Sequence, residues 1–167
     1  MLKNLKIKKS RRYIILILCI IAIVLSVLYF TEQRRIKNQN YLFELSQIDS
    51  ALGLLIKYSQ NYIESPNTND FAFIVNELSN ISTAVDSLYL QNIGIDVNVR
   101  HELYKFVDNL NGTFLTLDDD TLITYSSIIL AASKDFYILF DEDSSVDKST
   151  LTTAISNFVN ALPSIAA

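Results

Sequence analysis

Apolar positions along this chain fall into two patterns. From Tyr13 to Phe30 they are nearly continuous, 18 residues without a charge, a glycine or a proline. After Asn40 they become periodic. Tyr41, Leu45, Ile48, Leu52, Leu55 and Tyr62 follow a 4–3 alternation, with Ser59 as its one polar member. Phe71, Ile74, Leu78, Ile81, Val85 and Leu88 repeat it without a break, and Leu122, Tyr125, Ile129, Ala132, Phe136 and Leu139 do so again. Shorter versions run through Val99, Leu103, Phe106 and Leu110, and through Leu151, Ile155, Phe158 and Leu162. A 4–3 alternation keeps one stripe of a helix turned toward its neighbours, the spacing of left-handed bundles. The periodic part therefore predicts helices centred near residues 50, 80, 105, 130 and 156. The expected fold class is all-α: an N-terminal transmembrane helix followed by an up-and-down bundle of four to five helices.

The breaks between the stripes carry turn chemistry. Ser65-Pro66-Asn67-Thr68-Asn69-Asp70 is expected to end the first helix and cap the second. Gly94 fits a helix C-terminus, and Asp96 or Asn98 can cap the third helix. Asn111-Gly112 weakens the third helix, and Asp118, Asp119 and Asp120 oppose the positive end of the fourth. A polar loop from Asp141 to Asp147 precedes the last helix, which Pro163 closes. Gly53 falls inside the first helix, where it is expected to serve close packing rather than a hinge. With glycine only at 53, 94 and 112 and proline only at 66 and 163, turns are too few for an extensive sheet.

The continuous run reads as a permanent anchor. As a helix it spans about 27 Å, close to a bilayer core of about 30 Å. Tyr13 and Tyr29 sit near its ends, where amphipathic rings favour the headgroup layer. Leu28, Tyr29, Phe30 and Thr31 offer no small-residue cleavage site after the core. Leu18 is too large to precede a lipidated cysteine at Cys19, and the apolar stretch before it is too short. Lys3, Lys6, Lys8, Lys9, Arg11 and Arg12 precede the span, and Arg34, Arg35 and Lys37 come after it. The excess favours a cytoplasmic N-terminus. The expected organisation is a cytoplasmic basic tail over 1–12, the anchor over 13–30, a juxtamembrane stalk over 31–40 and an extracytoplasmic bundle over 41–167. Between Tyr13 and Ala51 there is no breaker, so the anchor can run into the first bundle helix; the polar stretch Thr31 to Asn40 is either a helical stalk or a flexible joint.

Charge sharpens this division. All 18 Asp and Glu lie after Phe30, whereas the first 12 residues carry only basic charges, six of them. An acidic domain without a basic patch argues against nucleic-acid binding. Arg34, Arg35 and Lys37 could touch lipid phosphates or simply flank the anchor. Cys19 is the only cysteine, so no disulfide can staple the domain and a packed core has to hold it. A cysteine-free exterior, in a chain rich in Ile, Asn, Lys and Ser, suggests a bacterial origin. In such a chain Asn80-Ile81-Ser82 and Asn111-Gly112-Thr113 are chance matches to a glycosylation pattern.

Reactive chemistry is sparse. His101 is the single histidine, expected near the start of the third helix as a surface residue. No nucleophile elbow, zinc-binding helix, phosphate-binding loop or paired-cysteine motif occurs. The stretch Asp141 to Ser149 places oxygen ligands in the frame of a calcium loop. Val146 stands where a glycine should turn the chain, and Thr152 where a bidentate glutamate is needed. A helix-capping acidic loop accounts for the same residues. Acids such as Glu77 and Asp86 are expected on the bundle faces. No catalytic, cofactor-binding or metal-binding residue is assigned, and no cofactor.

An anchored helical bundle is similar in architecture to the ligand-binding parts of bacterial chemoreceptors and sensor kinases, a likeness that says little of function. Such sensors need a second span or a cytoplasmic output domain, and this sequence has no second apolar run of 18 residues. The expected function is protein–protein interaction without catalysis, as an accessory, scaffold or immunity-type protein with a protein partner or a second copy. The alternative is a small-ligand-binding sensory module signalling through a membrane partner. An exposed pocket lined by Tyr58, Tyr62 or Tyr104 would favour it.

Overall fold

A computed structural model describes residues 2–141 and 146–163, with side chains for 17–140 and 146–163. Five α-helices account for nearly all of it: α1 (Leu2–Glu64), α2 (Thr68–Leu90), α3 (Val97–Thr113), α4 (Asp119–Asp141) and α5 (Lys148–Ala161). A short 3-10 turn, Phe114–Thr116, joins α3 to α4, and no strand occurs among the described residues. The chain divides into two compact units, Met1–Asn40 and Tyr41–Ala167, with α1 contributing to both.

In the first unit the apolar helix has no core. Ile17, Leu18, Ile20, Ile21 and every larger apolar residue on to Phe30 are exposed. Two of its hydroxyls are satisfied within the helix: Ser26 donates to the Ala22 carbonyl and Thr31 to that of Val27, both at 2.8 Å. Internal satisfaction of that kind is what a hydrocarbon environment requires. The Thr31 to Asn40 stretch is helical and fully exposed, with an Arg35–Glu32 ion pair at 2.8 Å.

In the second unit the 4–3 stripes become the core. Phe71, Ile74, Leu78, Ile81, Val85 and Leu88 on α2 are all fully buried, as are Ile48, Leu52 and Leu55 on α1. Tyr62 stacks edge-on against Phe71, and Ser87 donates to Glu44 at 2.6 Å, so α1 and α2 run past each other in opposite directions. Tyr62 also donates to Asp119 at 3.5 Å, and Tyr41 donates to the Val146 carbonyl at 2.9 Å. These two contacts lay α4 along the opposite direction to α1 as well. α3 packs on α2 and α5, and α5 on α4.

The helix ends are set by the residues singled out in the sequence. Asn67, Asp96 and Asp147 are N-caps, accepting from the backbone N–H of Asn69, Asn98, and Ser149 with Thr150. Asp118 accepts from Thr121 N–H at 2.7 Å ahead of α4. At the end of α2 two residues share the turn. Asn92 takes a left-handed conformation (φ 56°), donating to the Tyr89 carbonyl, and Gly94 comes two residues later at φ 98°. α3 continues through Gly112 to Thr113.

Several placements differ from expectation. Glu77 is buried rather than on a bundle face, its carboxylate accepting from the Asn80 side chain at 3.0 Å and from Asn76 at 3.4 Å. The stripe of α4 also takes in Ser126 and Ser133, both fully buried, with Tyr125 and Leu139 half-buried against the core. Ile93 and Ile95, in the α2–α3 connection, join the core. A Cβ on Gly53 would meet only Tyr137, at an ordinary 3.9 Å, so packing there does not demand glycine. By length and composition α4 (Asp119–Phe140) could also cross a membrane, but Leu122, Ile129 and Phe136 bury its stripe in the core.

Candidate functional site

The outward face of α2 carries Ser79, Thr83 and Asp86 at helical spacing, and α3 presents Val97, Arg100, His101 and Tyr104 beside it. The two helices are neighbours, and an open groove of about 480 Å³ lies between these rows, completed by Ser82 and Asn98. Its charged centre is an ion pair. Arg100 Nε donates to Asp86 Oδ1, and the guanidinium lies 4.8 Å from the centre of the Tyr89 ring. Both partners are about 40% exposed (39% and 42%), so the pair adds at most about 1 kcal/mol to stability. It places Arg100 at the groove wall. His101 is exposed, as sequence reasoning places it, and its ring makes no hydrogen bond among the described residues. Tyr104 stands 63% exposed at the rim.

Hydroxyls, an amide and an ion pair beside an exposed ring could hold a small polar molecule. Of the three tyrosines expected to mark a pocket, only Tyr104 lines this groove. Tyr62 is enclosed in the core, and Tyr58 stacks on Phe73 at 4.8 Å between ring centres. A second groove, of about 450 Å³, lies between α4 and α5 over Ala132, Phe136 and Phe158, rimmed by Asp135, Thr150 and Asn157. Neither groove was legible in the sequence, because each depends on which helices become neighbours.

The acidic loop has a defined partner for its last member. Asp147 accepts from Ser149 N–H (2.8 Å) and Oγ (2.7 Å), and from Thr150 N–H (3.0 Å) and Oγ1 (2.6 Å). These donors, the Ser149 and Thr150 side chains first, hold its carboxyl well below the usual carboxylate range. Asp147 and Ser149 are thus engaged in capping α5; residues 142–145 of the loop lie outside the described residues. Burial and the nearby Asp147 carboxylate push the Tyr41 phenol up, and burial with Asp119 does the same for Tyr62. Among the described residues no group of three or more His, Cys, Asp or Glu is placed to hold a metal ion.

No family model, no curated protein and no solved structure matches this chain.

Proposed function

We propose that the chain is a single-pass membrane protein whose helical domain works by contact with another protein. The anchor is Tyr13–Phe30, with the basic N-terminal segment in the cytoplasm and the domain from Tyr41 outside it. One observation carries this reading. From Ile17 to Phe30 the larger apolar side chains are all exposed, between 48% and 65%, with no core of their own. Such a surface is far larger than the few hundred Å² that soluble proteins tolerate, and a bilayer is the solvent that fits it. The lysine and arginine excess before the run supports the orientation. The opposed directions of α1 with α2 and α4 support an up-and-down bundle.

Contact rather than catalysis is supported by what the domain offers. Its grooves are open, its one histidine is exposed, and most of its acids cap helices or lie on the surface. An accessory, scaffold or immunity-type role fits. The α2–α3 groove favours a second reading, a module binding a small polar ligand against Tyr104. Crosslinking in native membranes followed by detergent extraction separates the two. The interaction reading expects a second polypeptide or a second copy in the product. If only monomer is recovered, and a small polar molecule raises the melting temperature of wild type but not of Tyr104→Ala, the module reading takes its place.

A further inference from the structure

We infer that two copies of this chain pair in parallel through one face of α1 centred on Phe43, Gln47, Ser50 and Leu54. The inference rests on the membrane reading above, and it names the partner. These four positions have a 4–3 spacing on the side of the helix turned away from the core stripe. All four are exposed, Phe43 at 60% and Leu54 at 39%. The Tyr58–Phe73 stack carries the apolar surface onward, with Phe73 47% exposed.

Charge selects the occupant. The unit Tyr41–Ala167 holds 17 acidic residues against five basic ones, so most faces of two copies repel. The face of α1 is an exception. Glu44 turns toward Ser87 on α2, Asp49 projects from another side of the helix, and no acid occupies the 43–47–50–54 row. Two-fold pairing of parallel helices sets each residue near its own copy. Uncharged residues tolerate that arrangement and carboxylates do not. Anchors in one bilayer with one orientation bring the domains of two copies to the same side of the membrane. In the other unit, taken by itself, Tyr29, Gln33, Ile36 and Asn40 have the same spacing and are also exposed, and an Asn in such a row favours in-register parallel pairs.

The row ends at Lys57, whose ammonium groups would oppose each other. The paired stretch in the domain is therefore about 17 Å long. That is too short to bury the roughly 1,200–2,000 Å² of a stable soluble interface. Confinement to a membrane supplies the missing association strength as effective concentration. Pairing is thus expected in membranes and lost on dilution in detergent.

The test uses the full chain in native membranes with Cys19→Ser, carrying one new cysteine at a time under mild oxidation. Gln47→Cys and Ser50→Cys should give disulfide-linked dimers several-fold more than Lys105→Cys and Lys134→Cys, which are exposed on α3 and α4. Adding Phe43→Asp to Ser50→Cys, which sets two acids face to face, should reduce the dimer several-fold without lowering helix content. Equal yields at all four positions would overturn the inference. So would a link from residues 47 and 50 to a different polypeptide, an outcome that leaves the interaction reading standing.

Discussion

At the scale of single residues, two buried serines set the domain's clearest local imbalance. Ser59 on α1 and Ser126 on α4 are fully buried, and neither hydroxyl has a hydrogen-bond partner among the described residues. Ser133, two turns after Ser126, shows the usual remedy by donating to the Ile129 carbonyl at 2.7 Å. An unmade buried hydrogen bond costs about 1–3 kcal/mol, and alanine is also the better helix former. Ser59→Ala should therefore raise the stability of the purified protein by about 1 kcal/mol in urea unfolding. A loss of similar size would mean that the hydroxyl has a partner. Sequence periodicity marked Ser59 as the one polar member of its stripe, and burial agrees. It gave no sign of Glu77, which needs the Asn76 and Asn80 amides to be accommodated.

At the scale of elements, helix ends carry the domain's pH dependence. Asp147 has four donors at the start of α5, and its folded pKa lies well below its unfolded value of about 3.9. A group depressed in this way contributes stability that is present above about pH 4 and is lost as pH falls through the folded value. Asp118 is lowered for the same reason, through the Thr121 side chain and backbone. The melting temperature should fall below about pH 4, and Asp147→Ala should flatten that fall while lowering the plateau above it. An acid limb of unchanged steepness in the variant would show that other carboxylates control it. These caps were legible because Asn67, Asp96 and Asp147 precede periodic apolar runs. The α2–α3 connection was legible only in part. Gly94 signalled a helix C-terminus, but Asn92 shares the left-handed turn there, and Ile93 and Ile95 are buried where no period exists to announce them. The stripe of α4 was legible at its apolar members, Tyr125 and Leu139 packing at its margin, but the burial of Ser126 and Ser133 was not, because polar residues do not announce a core position.

At the scale of the whole molecule, the sequence divides by the pattern of its apolar residues. One stretch of helix has apolar side chains exposed on every side, and in the rest most of them fall in stripes that close on one another. That division was fully legible, since it needs only continuity against periodicity. The grooves were not, because Asp86 and Arg100 come together only when α2 and α3 become neighbours. The central claim is that Tyr13–Phe30 crosses a bilayer with the domain on the non-cytoplasmic side. It is tested most directly by inserting the full chain into vesicles whose cytoplasmic face points outward, washing them at alkaline pH and adding protease. The account predicts that the chain stays in the membrane pellet and loses only its basic N-terminal segment, while residues 41–167 are digested only after detergent opens the vesicles. Release of the intact chain into the alkaline wash, or digestion of the domain in sealed vesicles, would contradict it.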